Sequence, residues 1–430
     1  MTRIRFVSLV AATLCAAGAL FAQQPSAPAN SFALLDGDRV VFYGDSITEQ
    51  KLYTTDIEEY VLTRFPNFNI RFVNSGVGGD KVSGGWAGPI DLRLQRDVYA
   101  HKPTMVTVML GMNDGYYRPF DDGITSTYAQ GYRRMIEQIQ SNLATTRLTL
   151  IKPSPFDDVT RNPQWEPGYN TVMQRFGEFV SQLGQEKHML VADMNAPVVD
   201  ALTKAKAQDP VMATTLVQDR VHPGSGIHWV MAASVLKAWN APATVTSVTI
   251  DGAKASVTDS VNTEITLLKK PKKGPLTWSQ MDRALPLPLP PAEVDPFIAL
   301  TLTVSDITQS LNQQPLRVTG LAAGNYELTI DDKSVGKFTA EQLAAGINLA
   351  VLETPMVAQS RLVAYDTEKK NGLEWAFFTT QNDARDANAQ ATSKKLAAAL
   401  AQAFERQHKD AQPVPHRYTL SFEPQLTASK

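Results

Sequence analysis

The chain has 430 residues, of which 43% are hydrophobic and 20% are charged, and its 41 basic and 43 acidic residues give a formal net charge of -2. This composition is typical of a globular protein with a large core and two or more domains. The sequence contains no block of basic residues interleaved with aromatic residues, so we expect no nucleic acid partner.

The first 22 residues have the pattern of a secretory signal peptide. Arg3 and Arg5 precede an apolar run, Phe6 to Phe21, and Ala22 offers a cleavage site. We therefore predict a signal peptide over residues 1–22 and a secreted or periplasmic protein.

The Pro-, Ser- and Ala-rich residues 23–35 are predicted to form a flexible leader. The apolar run before them is short for a membrane-spanning helix, and no later stretch reaches spanning length, so no integral membrane segment is expected after signal removal. The one cysteine of the sequence, Cys15, lies within that run. The mature protein is therefore expected to have no disulfide, no cysteine nucleophile and no thiolate metal site.

A hydrophobic run over residues 39–43 stops abruptly at the small, polar turn Gly44-Asp45-Ser46. The run is rich in β-branched and aromatic residues and predicts a buried strand, and apolar side chains at helical spacing follow the turn. A serine between a strand and a helix lies at the carboxyl edge of a sheet, where α/β proteins bind ligands and backbone N–H groups can stabilise an anion. We interpret Ser46 as a candidate nucleophile; the alternative is that Ser46 or Thr48 only caps the helix.

Two later strands end in a similar way. The strand predicted over residues 69–74 leads to Gly78-Gly79, where glycine lets a backbone N–H approach a ligand closely. The strand predicted over residues 104–110 leads to Asn113, whose side-chain amide can donate a hydrogen bond into a cleft. Each segment has a simpler interpretation as a tight turn. Because strands alternate with helices here, we predict a parallel sheet in a three-layer α/β domain.

An aspartate and a histidine, Asp219 and His222, lie three residues apart just before Pro223-Gly224, which oppose a helix and place the pair in a loop. This spacing lets the carboxylate hold one imidazole nitrogen and leaves the other nitrogen free to accept a proton. The alternative is an unrelated Asp and His on a surface loop. A later histidine, His228, is expected to pack against or cap the following helix rather than serve as a base.

Taken together, these motifs resemble those of the SGNH hydrolase superfamily, also called GDSL-type esterases and lipases. Gly44-Asp45-Ser46 resembles the nucleophile motif, although Ile47 stands where the common form has leucine, a variation also seen in the family. The resemblance extends over about residues 36–240. It implies the SGNH hydrolase fold, a three-layer α/β/α fold with a parallel, flavodoxin-like sheet.

The resemblance also implies acyl transfer through a covalent serine ester, which needs no cofactor and no metal. The catalytic residues that it implies are Ser46, Asp219 and His222. The oxyanion hole that it implies consists of the backbone N–H groups of Ser46 and Gly79 and the side-chain amide of Asn113. Gly78 can take the place of Gly79 if the turn is set one residue differently.

Beyond residue 241 the composition changes and predicts two further regions. We place the SGNH hydrolase catalytic domain at residues 36–242 and a β-rich accessory domain at residues 243–339, in which runs such as Ile298 to Val304 predict strands. Residues 340–430 carry helical patterns and are predicted to form a helical C-terminal region.

These features predict a secreted serine esterase that hydrolyses carboxylic esters through an acyl-enzyme. Its expected partner is an ester substrate with O-acetyl or short acyl groups on carbohydrate, such as an acylated polysaccharide, because export and an appended β-domain suit a polymer. The alternatives are a lipid esterase or lysophospholipase, a thioesterase of the same fold, and a non-catalytic carbohydrate-binding protein. The aromatic residues near the motifs are expected either to line the substrate pocket or simply to pack: Trp86, Tyr116, Tyr117 and Phe120.

Overall fold

The computed structural model describes residues 31–382 and 387–423. The predicted signal peptide, residues 1–22, and the predicted leader as far as residue 30 lie outside the described residues. Within the described residues, no helix is both long enough and apolar enough to cross a membrane. The described chain forms a parallel sheet flanked by helices, two further sheets of four and five strands, and a C-terminal pair of long helices.

The first part of the chain contains seven strands, five of which form the central sheet. The bounds are β1 (Arg39–Gly44), β2 (Arg71–Gly76), β3 (Gly84–Gly85), β4 (Gly88–Pro89), β5 (Met105–Met109), β6 (Arg147–Lys152) and β7 (Leu190–Asp193). The central sheet is entirely parallel in the order β2-β1-β5-β6-β7, and β3 pairs with β4 in a short hairpin. Residues 40–43 of β1 are buried, as expected for a parallel strand covered on both faces.

Eight helices connect and flank these strands. Their bounds are α1 (Ser46–Glu49), α2 (Leu52–Arg64), α3 (Ile90–Asp97), α4 (Asp122–Asn142), α5 (Asn170–Lys187), α6 (Ala196–Gln208), α7 (Pro210–Ala213) and α8 (Ser225–Ala238). Among them, α2 packs against α8, and α4 packs against α5. A parallel sheet flanked by helices confirms the predicted α/β fold.

The rest of the chain contains nine strands in two sheets. The bounds are β8 (Ser247–Asp251), β9 (Ser256–Val261), β10 (Thr263–Lys269), β11 (Leu276–Asp282), β12 (Pro315–Thr319), β13 (Asn325–Ile330), β14 (Lys333–Thr339), β15 (Ile347–Asn348) and β16 (His416–Glu423). One sheet is antiparallel in the order β10-β11-β16-β13-β14, and the other has the order β15-β12-β8-β9 with a parallel β12–β8 pair. Trp278 and Tyr418 stack at 5.0 Å in the core that the two sheets share.

Five more α-helices follow: α9 (Pro296–Val304), α10 (Ile307–Leu311), α11 (Ala340–Ala345), α12 (Pro355–Asn382) and α13 (Ala387–Asp410), and short 3-10 helices occupy Tyr99–His101 and Leu349–Val351. The long helices α12 and α13 pack together as a helical hairpin, and α12 also packs on α2. Lys370 of α12 forms an ion pair of 2.7 Å with Glu58 of α2, and both side chains are buried. The helical hairpin is therefore anchored on the helix that follows the Ser46 turn.

Residues 298–304, predicted as a strand, form most of α9. Asp295 caps this helix by accepting hydrogen bonds from the N–H groups of Phe297 and Ile298, and Pro296 occupies its first turn. A short apolar run does not by itself distinguish a buried strand from a buried helix. The buried side chains of α9 join the core of the parallel sheet rather than the core of the two later sheets.

The C-terminal region, predicted to be helical over residues 340–430, contains three α-helices but also the two-residue strand β15 and the longer strand β16. Along β16 buried and exposed side chains alternate, with His416, Tyr418 and Leu420 buried, and this period of two is typical of a strand. The strand lies between β11 and β13, which come from much earlier in the chain. The helical prediction therefore does not hold for residues 347–348 and 416–423.

Removing the Tyr418 side chain should destabilise the two later sheets. Tyr418 is fully buried and stacks on Trp278, so Tyr418→Ala should leave a cavity and lower the free energy of unfolding by about 3 to 5 kcal/mol. Denaturant unfolding followed by tryptophan fluorescence measures the loss. The matched variant Arg417→Ala removes an exposed side chain from the same strand and should cost less than about 1 kcal/mol. Equal losses in the two variants would contradict this account.

Candidate active site

Ser46 is the first residue of α1, directly beyond the carboxyl end of β1. The chain can turn sharply there because Gly44 has no side chain, and a Cβ on Gly44 would lie 2.1 Å from Thr48 Oγ1. Asp45 is the N-cap of α1, and its Oδ1 accepts a hydrogen bond of 3.0 Å from the N–H of Ile47. The cap is therefore Asp45 rather than Ser46, and the Ser46 hydroxyl has a different partner.

The Ser46 hydroxyl, the His222 ring and the Asp219 carboxylate form one chain of hydrogen bonds. His222 Nε2 lies 2.7 Å from Ser46 Oγ, and His222 Nδ1 lies 2.6 Å from Asp219 Oδ2. Because a carboxylate only accepts hydrogen bonds, Nδ1 carries the proton and Nε2 is left to accept from the serine. The structure thus brings together the three predicted catalytic residues, although Ser46 and His222 are 176 positions apart in the chain.

The loop that carries Asp219 also holds its carboxylate in place. Asp219 Oδ1 accepts hydrogen bonds from the N–H groups of Val221 at 2.9 Å and His222 at 2.8 Å. Partial burial acts to raise the pKa of Asp219, but these bonds and the one from the His222 ring outweigh it and leave the pKa below its usual value. Asp219 is therefore anionic at neutral pH and can stabilise a protonated His222 ring.

The predicted backbone donors of the oxyanion hole lie at the same end of the sheet. Gly44 at the end of β1 pairs with Gly76 of β2, so the loops that follow these strands are neighbours. Among the described residues, none is found to accept a hydrogen bond from the N–H groups of Ser46, Gly78 or Gly79. Gly79 has a left-handed φ of +70°, which favours glycine. Both glycine N–H groups are therefore available as donors.

Asn113 is held at both ends of its side-chain amide. Its Nδ2 donates to the carbonyl oxygen of Asp80 at 3.0 Å, and its Oδ1 accepts from the Tyr117 hydroxyl at 3.0 Å. One N–H of Nδ2 is thereby used, and the second is left for a ligand. Partial burial and the charges of Asp45 and Asp219 raise the pKa of Tyr117 to about 12. Its hydroxyl therefore stays protonated and remains a donor.

The bond from Tyr117 to Asn113 is the feature of the site that sequence reasoning missed. Tyr116 and Tyr117 both have positive φ, at 53° and 54°, and such a conformation in two bulky residues indicates a loop held by its contacts. The Tyr117 ring stacks on Tyr169 at 5.2 Å. The sequence carries no signal for either feature, because an aromatic residue in a loop usually only packs.

A buried hydrogen-bond network lies beneath the glycine loop. Arg93 of α3 is fully buried and donates from Nε to Asp80 at 2.9 Å, from Nη2 to the Ser75 carbonyl at 2.9 Å, and from Nη1 to Asp97. The Tyr43 hydroxyl also donates to Asp80, at 3.3 Å. Buried charges are stable only with such partners. The network thereby fixes Asp80, and the Asp80 carbonyl in turn orients the side-chain amide of Asn113.

Two carboxyl groups lie buried beside the site. Burial raises the pKa of Asp45 to about 7, the hydrogen bond from the Ile47 N–H opposes this, and the charge of Asp114 raises it further. Burial also raises the pKa of Asp114 to about 7, against the hydrogen bond of 3.0 Å that its Oδ1 accepts from the Val82 N–H. Both groups therefore titrate near pH 7.

His228 is not part of the hydrogen-bond chain that joins Ser46, His222 and Asp219. Its buried ring accepts a hydrogen bond at Nδ1 from the Tyr53 N–H at 3.1 Å and donates from Nε2 to Gln50 Oε1 at 3.2 Å. Burial lowers the pKa of His228 to about 3, so the ring stays neutral. Its role is therefore packing and hydrogen bonding between α2 and α8.

The site is open to solvent. The Asp219 side chain is 56% exposed and the His222 side chain is 36% exposed. Four exposed aromatic residues follow the glycine and asparagine motifs: Trp86, Tyr116, Tyr117 and Phe120. Across the described residues, no group of three or more His, Cys, Asp or Glu side chains is placed to hold a metal ion. The arrangement offers a nucleophile, a proton acceptor and anion donors to a substrate that arrives from solvent.

The chain is similar to known proteins both over this region and beyond it. Residues 42–230 match the model of the GDSL-like Lipase/Acylhydrolase family. An acetylxylan esterase of Geobacillus stearothermophilus is 26% identical over 219 residues, which cover 47% of this chain and 93% of that protein. The solved structure of a gut microbial diltiazem-metabolizing enzyme is 26% identical with a TM-score of 0.77, and the match covers 92% of this chain and 99% of that chain.

The family match begins within β1 and ends within α8, so it spans the parallel sheet and the loops that carry Ser46, Asn113 and His222. A serine nucleophile, a histidine base and anion donors are the groups that ester hydrolysis needs. The resemblance inferred from the motifs is therefore confirmed: the protein is a carboxylic ester hydrolase, and its residues 42–230 belong to the GDSL-like lipase/acylhydrolase family.

Proposed function

We propose that the protein is an exported serine esterase that removes O-acetyl or other short acyl groups from carbohydrate. The observation that carries the proposal is the hydrogen bond between the Ser46 hydroxyl and His222 Nε2 in a site that solvent reaches directly. Carbohydrate as the alcohol is supported by the similarity to an acetylxylan esterase. Export is supported by the signal-peptide pattern of residues 1–22.

In the proposed mechanism, His222 Nε2 accepts the Ser46 proton as Oγ attacks the carbonyl carbon of the ester. Negative charge develops on the carbonyl oxygen, which accepts hydrogen bonds from the N–H groups of Ser46 and Gly79 and from the Asn113 amide. Asp219 stabilises the positive charge on the His222 ring. His222 then gives its proton to the leaving alcohol oxygen, the C–O bond breaks, and an acyl ester remains on Ser46.

Water completes the cycle. His222 takes a proton from a water molecule, whose oxygen attacks the acyl carbon while the same donors hold the oxyanion. Collapse of this intermediate releases the acid, and His222 returns its proton to Ser46 Oγ. These steps need neither a metal nor an organic cofactor.

The surroundings of Ser46 favour a short acyl group. A cleft of about 980 Å³ lies between β2 and the helical hairpin, and Glu49 and Gly76 line it, but Ser46 and His222 do not. A long acyl chain gains binding energy by burial in an apolar pocket, and this cleft does not open at the nucleophile. An open site instead suits a small acyl group on a bulky alcohol.

A second candidate is hydrolysis of a compact ester that is not part of a polymer. The solved structure of the diltiazem-metabolizing enzyme matches 92% of this chain, so the resemblance to an enzyme named for a drug includes the later sheets and the helical hairpin. An open site admits both kinds of alcohol. Relative rates on sugar esters and on small esters distinguish the two candidates.

Acyl release from matched esters tests the proposed function. We expect faster hydrolysis of acetylated xylan and of 4-nitrophenyl acetate than of 4-nitrophenyl palmitate, because the large cleft lined by Glu49 and Gly76 does not reach Ser46 and so cannot bury a long acyl chain there. Ser46→Ala should reduce each rate at least about a thousandfold, and the control Ser126→Ala, an exposed serine of α4, should not. Full activity in Ser46→Ala would refute the mechanism. Faster hydrolysis of the palmitate ester than of the acetate ester would refute the proposed preference for short acyl groups. Inactivity on acetylated xylan alone would favour the second candidate.

Export is tested with the full chain expressed in a bacterium. The proposal expects protein outside the cytoplasm whose first residue is close to Gln23. Protein that stays in the cytoplasm with its first residues intact would contradict the proposal.

The Tyr117 hydroxyl should act on catalysis only through Asn113. Asn113→Ala should lower kcat about a hundredfold or more, because one oxyanion donor is lost. Tyr117→Phe removes the hydrogen bond to Asn113 Oδ1 and should lower kcat roughly three- to tenfold with little change in KM. Steady-state kinetics of both single variants and the double variant measure the coupling. If Tyr117→Phe lowers kcat by the same factor in the wild type and in Asn113→Ala, the Tyr117 hydroxyl does not position the Asn113 amide.

Asp45 should make folding stability fall as pH rises towards neutrality. Its pKa in the folded chain is about 7 against an ordinary value of 3.8, so between these values the folded chain keeps a proton that the unfolded chain has lost. The free energy of unfolding should therefore fall with increasing pH in this window, by up to about 1.4 kcal/mol per pH unit from this group. Denaturant unfolding across the window measures the slope. Asp45→Asn, whose amide oxygen can still cap α1, should reduce the slope, and an unchanged slope would contradict the account.

A further inference from the structure

The short hairpin β3–β4 presents a single tryptophan beside the glycine loop. Gly84 pairs with Pro89 and Gly85 with Gly88, so Trp86 and Ala87 form the tip. The hairpin lies directly on the loop, since a Cβ on Gly85 would be 2.7 Å from the Gly79 carbonyl oxygen. Glycine at these positions lets the two backbones approach, and the hairpin places its one large side chain at the tip.

The Trp86 side chain rests on the oxyanion loop but remains open to solvent. A Cβ on Gly79 would lie 3.0 Å from Trp86 Cε2, and one on Gly78 would lie 3.6 Å from Cζ3. The residue is nevertheless 88% exposed. Contact between water and the apolar indole ring is unfavourable, so a flat apolar ligand that covers the ring gains binding free energy. A ligand that covers this ring therefore lies against the residues that supply the predicted backbone donors.

The other exposed aromatic residues near the site already have partners. Lys81 lies 4.9 Å from the centre of the Tyr116 ring, Arg175 lies 5.8 Å from that of Phe120, and the Tyr117 ring stacks on a neighbouring tyrosine. Within the part of the chain that the structure describes, no cation and no aromatic ring stacks on Trp86. Trp86 is therefore the aromatic surface that a ligand can use.

A carboxylate lies next to the same surface. Glu49 is the last residue of α1, one turn beyond Ser46, and its Oε2 would be 3.1 Å from a Cβ on Gly78. No hydrogen bond from the described residues reaches this carboxylate, although the charge of Lys51 is close enough to interact with it. A flat apolar surface with a free acceptor at its edge fits a pyranose ring, which has an apolar C–H face and hydroxyl groups around its rim. An acyl chain has no donor for the carboxylate.

We propose that Trp86 and Glu49 form a sugar subsite that binds a pyranose ring of the leaving alcohol while Ser46 attacks the acyl group. Trp86 stacks on the C–H face of the ring, and Glu49 accepts a hydrogen bond from a ring hydroxyl. This inference rests on the proposed function, because it requires a carbohydrate ester as substrate. It adds the residues by which the enzyme distinguishes a sugar ester from any other accessible ester.

Paired substrates, acetylated xylotriose and 4-nitrophenyl acetate, measure the contribution of the subsite. In Trp86→Ala the ratio of kcat/KM for the sugar ester to kcat/KM for the small ester should fall roughly tenfold, mainly through KM, and Trp86→Phe should keep most of the ratio. Glu49→Ala should also lower the ratio, whereas Glu49→Gln, which retains an acceptor oxygen, should preserve it. Tyr365→Ala removes an exposed aromatic side chain from α12 and is the matched control that should leave the ratio unchanged.

Binding without turnover supplies a second readout. Ser46→Ala protein titrated calorimetrically with acetylated xylotriose should lose roughly tenfold in affinity when Trp86→Ala is added. Thermal unfolding checks that the variants fold as the parent does, which we expect because Trp86 is exposed.

Failure of the subsite and failure of the proposed function give different results. If the wild type hydrolyses acetylated xylotriose and both the ratio and the affinity are unchanged in Trp86→Ala, the subsite is refuted and the function stands. If the wild type hydrolyses 4-nitrophenyl acetate but no acetylated sugar, the carbohydrate function is refuted and the subsite with it. A lower ratio together with weaker binding supports both.

Discussion

Because Gly44 and Gly76 have no side chains, α1 lies directly on the carboxyl ends of the two neighbouring strands β1 and β2. A Cβ on Gly44 would be 2.1 Å from Thr48 Oγ1, and one on Gly76 would be 2.2 Å from the Glu49 nitrogen. Because the two glycines pair in register, the helix bridges β1 and β2 and holds Ser46 beside the loop that follows β2. In the proposed mechanism, oxyanion stabilisation depends on this contact, since a donor must lie within about 3 Å of the oxygen that it stabilises.

The site combines a buried floor with an open rim. Below the glycine loop, Arg93 and Asp80 are fully buried and joined by an ion pair, and Arg93 also donates to the Ser75 carbonyl, so the loop is held from below. Above it, the Asp219 and His222 side chains remain partly exposed. Preorganised donors stabilise charge without reorganising during the reaction, and an open rim leaves space for an alcohol of any size. Under the proposed function, the buried floor holds the donors in place for catalysis, and the open rim admits the alcohol of the substrate.

The parts of the chain beyond the parallel sheet are built into it rather than appended to it. The side chains of α9 complete the core beside α8, and the buried pair Lys370–Glu58 joins the helical hairpin to α2. Removing one partner of a buried ion pair leaves an uncompensated charge, which is strongly destabilising. The helix α2, which follows the Ser46 turn, therefore depends on the helical hairpin, and this agrees with a structural match that extends over 92% of the chain.

The sequence by itself determined the parallel sheet and the family, because a strand buried on both faces must be apolar throughout and the polar residues that end such strands are easily recognised. Only the tertiary structure decided the strand β16, the helix α9, the hydrogen bond from Tyr117 to Asn113 and the exposure of Trp86. Periodicity is a property of consecutive residues, and a short apolar run fits either a strand or a helix until its neighbours are known. A side-chain contact instead depends on which loops lie side by side in the folded chain. The sequence of one loop does not show which distant loop packs against it.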